Sequence, residues 1–206
     1  MGFLEDKTRA RRFYKHLSKV YDRVNPYIWN ESMRARALEM LDIGGDDRVL
    51  DVGCGTGFGT EGLLQYTDDI YGLDQSEHQL ARARAKLDDS SVTFMRGDAE
   101  RLPVETDEFD HLWSSGSIEY WPHPVRALEE FRRVVKPGGQ VLVVGPNHPP
   151  WPVIQQIMDS IMLFYDVDEA QRMFEAAGFD DIEHQEMGPE NLGNLALVTV
   201  ATVPEN

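Results

Sequence analysis

At 206 residues the chain has the length of one compact domain with a substantial core, and no apolar run reaches the ~20 residues that a bilayer-spanning helix needs. Acidic residues number 36 against 20 basic ones, a formal net charge of -16, which argues against nucleic acid as a partner because a phosphate backbone must be met by clustered Lys and Arg. Cys54 is the single cysteine, so neither an intrachain disulfide nor a multi-cysteine metal site can form. Together with an N-terminus that lacks the basic-then-apolar order of a secretory leader, this reads as a cytoplasmic protein without a metal. The acidic excess, with Arg far commoner than Lys, fits a salt-rich cytoplasm in which carboxylates solvate the surface. At molar salt the Debye length is only ~3 Å, so the negative charge leaves peripheral contact with an anionic membrane open.

In chain order, residues 7–20 and 31–41 carry helical periodicity and are separated by a turn at Asn25-Pro26. A first strand at 47–52 runs into a glycine-rich turn and a helix to about Tyr66. A second strand at 69–73 follows, then a helix over 76–87 with Ser76 as its N-cap. Strands are predicted at 92–96, 111–114 and 140–145, with a helix over 125–135 that stops at Lys136-Pro137-Gly138-Gly139. An apolar segment at 153–165, a helix at 168–177 and two closing strands at 182–187 and 195–203 complete the chain. This alternation predicts an α/β fold: a mostly parallel seven-stranded sheet with an antiparallel C-terminal hairpin and N-terminal helices over its ligand edge. Residues 1–45 form the helical cap, 46–146 the donor-side core and 147–206 the acceptor side.

The run Asp51-Val52-Gly53-Cys54-Gly55-Thr56-Gly57 turns an apolar strand through glycines at alternate positions, so that backbone can come close to a nucleotide-like ligand beside a helix N-terminus. Cys54 reads as a small residue in that tight loop. A dinucleotide fingerprint is formally present at Gly57-Phe58-Gly59-Thr60-Glu61-Gly62, but its first glycine should end the strand, which ends instead at Val52. Started at Gly53, the pattern puts Phe58 where its third glycine is required. Asp74, about 20 residues after the loop, has the spacing of a carboxylate that accepts ribose hydroxyls. In Gly97-Asp98-Ala99-Glu100, after the third strand, an Asp side chain can take an adenine amino hydrogen and a backbone amide can reach the ring.

These segments, with Lys136-Pro137-Gly138-Gly139, resemble the ordered motifs of the class I S-adenosylmethionine-dependent methyltransferases, from about residue 47 to residue 145. More narrowly, Phe13 to Asp22, Leu73 to Leu80, Ser115-Gly116-Ser117-Ile118-Glu119-Tyr120-Trp121-Pro122, Ile161 to Phe164 and Gly178-Phe179 resemble the methyl-phytyl-benzoquinol methyltransferases of tocopherol and plastoquinone synthesis. The resemblance implies a Rossmann-like fold, S-adenosylmethionine as methyl donor with S-adenosylhomocysteine as product, and no metal. It implies a donor site of Asp51, Gly53, Cys54, Gly55, Thr56, Gly57, Asp74, Gln75, Asp98, Ala99, Glu100, Ser114 and Ser115, with Tyr21 folded across the donor. The chain departs from the plant members in a far more acidic surface and in the expected lack of their C-terminal membrane anchor, so a menaquinone-type ring becomes an alternative acceptor.

A quinol ring carbon becomes a good nucleophile once an adjacent hydroxyl loses its proton, so a base is expected beyond the fourth strand. Glu119 is the first candidate, against the plainer reading of a solvent-facing carboxylate; Tyr120 and His123 are the others. His148, Trp151, Ile154, Met158 and Met162 are candidates for holding the acceptor, the last four as an adaptable apolar groove for a prenyl tail rather than an ordinary buried helix. The expected activity is C-methylation of a prenylated quinol. The competing readings are an O- or N-methyltransferase of a small soluble metabolite and a module that binds S-adenosylmethionine without turnover.

Overall fold

The computed structural model describes residues 29–147, 166–188 and 193–205. In order, the described elements are α1 (Glu31–Leu38), β1 (Val49–Val52), α2 (Phe58–Leu63), β2 (Ile70–Asp74), α3 (Glu77–Lys86), β3 (Thr93–Arg96), β4 (Phe109–Ser115), a 3-10 turn (Ile118–Tyr120), α4 (Pro124–Val134), β5 (Val135–Pro146), α5 (Val167–Ala177), β6 (Asp180–Met187) and β7 (Ala196–Thr202). The strands form one seven-stranded sheet in the order β3-β2-β1-β4-β5-β7-β6. β1 to β5 pair in parallel, whereas β7 runs antiparallel to both β5 and β6, as the sequence pattern predicts. The order reverses between β1 and β4, and ligands of open α/β sheets sit outside the carboxyl ends of strands at such a switch point.

Strand residues alternate between two cores, because successive side chains leave opposite faces. Leu50, Val52, Val141 and Val143 join Leu128 and Phe131 of α4 and Phe174 of α5. Val49, Leu142 and Val144 join Met33, Ala37 and Leu38 of α1 and Leu63 of α2 on the other face. All four residues of β1 are buried, as a central parallel strand covered on both faces requires.

Helix ends follow local chemistry. Ser76 caps α3 by accepting from the Gln79 amide at 3.4 Å, as its sequence position predicts. Asp166 and Glu169 form a reciprocal capping box on α5. α4 ends at Val134, one residue before its expected end, but β5 starts at Val135 and not at 140, since Val135 already pairs with Phe109. The Lys-Pro-Gly-Gly run is instead an irregularity within β5, since the register moves from Phe109↔Val135 to His111↔Gln140. Glycine is needed there because a Cβ at Gly139 would lie 2.2 Å from the Asp110 carbonyl. The predicted helix at 7–20 and the apolar segment at 153–165 lie outside the described residues. Among the described residues no helix is long and apolar enough to cross a membrane.

Candidate active site

The glycine loop ties three strand tips together. Gly53 and Cys54 both donate backbone hydrogen bonds to the Leu73 carbonyl of β2, at 2.7 and 3.0 Å. Gly53 has φ +75, and a Cβ there would sit 2.5 Å from that of Ser117 beyond β4, so both its conformation and its packing demand glycine. Gly55 donates its amide to Asp74 Oδ2 at 3.0 Å. Gly57 is the N-cap of α2, five residues past the end of β1, so the Gly57–Gly62 fingerprint belongs to a helix and not to a strand end. Thr56 lies half-buried in the loop. Cys54 is buried and burial pushes its thiol up, which suits a packing residue and not a nucleophile.

Three carboxylates mark three neighbouring tips. Asp51 of β1 is 1% exposed and accepts the Thr60 hydroxyl at 2.6 Å. Burial pushes its carboxyl up to about 7; the Thr60 hydrogen bonds oppose this and the nearby Asp74 charge adds to it. Asp74 ends β2 and accepts the Ser76 amide on Oδ1 at 2.8 Å as well as the Gly55 amide on Oδ2. Its carboxyl is raised by burial, with both amide bonds opposing. Because Ser76 caps α3, Asp74 is not needed as the cap, and a carboxylate has lone pairs beyond these two bonds to offer a ribose. Asp98, half-buried after β3, accepts the Glu100 amide at 3.1 Å, while Ala99 is buried and Gln75 is exposed. An arrangement that concentrates carboxylates and glycines of positive φ suits a ligand carrying hydroxyls and a cation. Among the described residues no cluster of His, Cys, Asp and Glu could hold a metal ion.

The structure also joins residues that the sequence gives separately. Glu100, 6% exposed, accepts the His123 amide on Oε1 and faces His123 Nδ1 with Oε2, both at 3.1 Å. His123 is the N-cap position of α4, and its side chain is two-thirds exposed. Glu100 therefore fastens the start of α4 to the end of β3. Ser114 is fully buried, donates to the Val52 carbonyl at 2.8 Å and shares a hydrogen with Ser117 Oγ at 2.7 Å, so its hydroxyl braces β4 against β1. Ser115 ends β4 half-buried. Glu119 lies in the 3-10 turn and is 1% exposed, which overturns its reading as a solvent-facing carboxylate. Tyr120 beside it is half-buried. Tyr21, His148, Trp151, Ile154, Met158 and Met162 lie outside the described residues.

Sequence reasoning missed Thr60, Trp113 and Ser117. Thr60 and Gly59 stand inside the misleading fingerprint, and Trp113 reads as an ordinary apolar strand residue. Ser117 had a signal in the Ser-Gly-Ser run that follows β4.

Residues 50–143 match the family described as "Methyltransferase domain". Over 192 residues the chain is 45% identical to the 2-methyl-6-phytyl-1,4-hydroquinone methyltransferase 2, chloroplastic, of Oryza sativa subsp. japonica, with 91% of this chain and 55% of that protein covered. The chain thus spans about half the length of the curated plant relatives it matches. It is 30% identical over 210 residues to the demethylmenaquinone methyltransferase of Staphylococcus aureus (strain JH9), covering 86% of this chain and 87% of that one. Among solved structures, a chain of the complex between the Haloferax volcanii Trm112 methyltransferase activator and the putative methyltransferase superposes with a TM-score of 0.78 at 24% identity, over 96% of this chain and 98% of that chain. The S-adenosylmethionine dependent methyltransferase from Mesorhizobium loti gives 0.69 at 22% identity, over 81% and 95%. Both structures share this fold.

Proposed function

The chain belongs to the S-adenosylmethionine-dependent methyltransferases, in the family of the demethylmenaquinone methyltransferases, and on that premise we propose that it C-methylates the ring of a prenylated quinol. The donor supplies an electrophilic methyl group from its sulfonium and leaves as S-adenosylhomocysteine. The Gly53–Gly57 backbone and the Asp51, Asp74 and Asp98 carboxylates hold it, Asp74 toward the ribose and Asp98 toward the adenine. Asp51, buried at the head of the loop, is assigned to the donor's amino-acid ammonium, a cation that would offset the burial that raises its carboxyl.

The observation that carries the acceptor side is the burial of Glu119 on the turn just beyond Ser117, the residue packed against Gly53. A carboxylate shielded from water there is placed to take the proton of a ring hydroxyl, which makes the neighbouring carbon nucleophilic. Little else is demanded of the protein, since displacement at a methyl group gains mostly from holding both partners in line at near-attack distance. A phytyl-benzoquinol is favoured over a menaquinone precursor by the identities of 45% against 30%. For the prenyl tail our candidates remain Trp151, Ile154, Met158 and Met162, with His148 toward the ring and Tyr21 over the donor, on their sequence character alone. A lipid acceptor would bring the enzyme to a membrane surface.

Incubation with methyl-labelled donor and a panel of prenylated benzoquinols and naphthoquinols in high salt, followed by mass analysis of the lipid, tests this. A ring-methylated quinol is expected. Label confined to the oxygen or nitrogen of a water-soluble acceptor, with every quinol unchanged, overturns it.

A further inference from the structure

Asp51 and Trp113 stand opposite each other in the parallel register of β1 and β4. Trp113 is completely buried, and its indole N–H has no hydrogen-bond partner. A Cβ at position 59 would lie 2.5 Å from that nitrogen and 3.0 Å from Asp51 Oδ2, so the indole N–H and the carboxylate both pack closely on the Gly59 backbone, an approach only glycine permits. The residue that follows Gly59 in α2, Thr60, is fully buried and gives its hydroxyl to the same Oδ2 at 2.6 Å. A buried carboxylate is thus met by two buried donors from two different elements, one bonded to it and one beside it.

We propose that Thr60 and Trp113 are positioning residues that hold Asp51 charged for the ammonium of the methyl donor, so that donor capture is governed by the protonation of Asp51 while methyl transfer is not. The inference rests on the donor reading of Asp51 given above. The chemistry is that of linkage: a ligand that binds only the carboxylate form must expel a proton whenever Asp51 is neutral, and groups that stabilise the anion lower that penalty. Burial pushes Asp51 up to about 7, so the proton is present in part at neutral pH. The surrounding titratable groups do not offset this. Asp74 at the tip of β2 adds negative charge, Cys54 in the loop is held protonated by burial, and Arg34 of α1 is taken up by Glu61 and the Phe58 carbonyl of α2. On β4, His111 pairs with Asp47. Thr60 and Trp113 are the donors the fold sets against that trend.

The test is calorimetric titration of S-adenosylhomocysteine, which retains the amino-acid ammonium, from about pH 5.5 to about 8.5 in constant salt. For the wild type, Kd should weaken about tenfold per pH unit below about 7 and level off above it. Thr60→Val keeps the shape and removes the hydroxyl. It should weaken binding by about tenfold or more near pH 7 and approach the wild-type curve at the alkaline end, with kcat at saturating donor and pH 8.5 within about twofold. Thr60→Ser should restore the wild-type curve, which separates the hydrogen bond from a packing defect. Trp113→Phe should displace the curve in the same sense by a smaller amount. Either Thr60→Val or Trp113→Phe following the wild-type curve at every pH overturns the role given to that residue. Asp51→Asn separates the two levels: donor binding as in the wild type would remove the donor reading itself, whereas lost binding in Asp51→Asn with an unmoved Thr60→Val curve would remove only the present inference.

Discussion

The tips of β1 and β2 and the turn beyond β4, the donor and acceptor sides of the function proposed above, hold their carboxylates by different means. On the donor side Asp74 is fixed by backbone amides of Gly55 and Ser76, and the loop that supplies one of them is fixed in turn by the Leu73 carbonyl. On the acceptor side Glu119 is positioned by the burial of a short 3-10 turn, and His123 by a side chain, Glu100, arriving from another strand. Backbone geometry restricts which residues can stand at a position, whereas burial of a side chain depends on everything packed around it.

The contrast can be broken most sharply at Glu119. Glu119→Gln removes the proposed base while leaving the donor loop intact, so turnover should fall by about 10²–10⁴ while donor Kd stays within about twofold, measured by steady-state kinetics alongside calorimetry. Full turnover on a quinol would remove that role. Gly53→Ala should do the reverse. Forcing a Cβ against Ser117 at positive φ should weaken donor binding by about a hundredfold or more and lower stability by a few kcal/mol, read by calorimetry and thermal unfolding. Asp74→Ala leaves the amides of Gly55 and Ser76 without their acceptor and should weaken the donor by about 10–100-fold.

A subtler effect concerns stability. The folded-state value of Asp51 is raised from 3.8 to about 7, so the stability it confers is fully present below about pH 4 and is lost as pH rises through about 7. Relative to wild type, Asp51→Asn should therefore gain stability over that window in the absence of donor, by at most on the order of 4 kcal/mol, seen as a rise in Tm at pH 8 that is missing near pH 4. The smallest effect is expected at His123. Its side chain is mostly exposed, so His123→Ala should change stability by less than about 1 kcal/mol and leave turnover within a few-fold if Glu119 is the base.

The same contrast explains what could be read from the sequence. The succession of strands and helices and the antiparallel closing hairpin follow from apolar periodicity, and the turn after β1 from its glycines at alternate positions. The Lys136-Pro137-Gly138-Gly139 run marks the end of α4 but hides its own place in β5, because Gly139 relieves a contact with the Asp110 carbonyl of the neighbouring strand, which no local pattern reveals. Glu100 was placed in the donor set by its position after β3, but its carboxylate is turned to the start of α4. Glu119 looked like one acid among many in an acidic chain until its burial set it apart. Trp113 and Thr60 were invisible as a pair because Asp51 brings them together only across β1, β4 and α2.

The proposed donor capture requires the tips of β1, β2 and β3 to hold the adenosine of a methyl donor together. Calorimetry in concentrated KCl with S-adenosylmethionine and, separately, a nicotinamide dinucleotide tests it most directly. Saturable heat is expected with the sulfonium, with Kd weakened about 10–100-fold in Asp74→Ala, and none with the dinucleotide; tight dinucleotide binding with no heat from the sulfonium would contradict this arrangement.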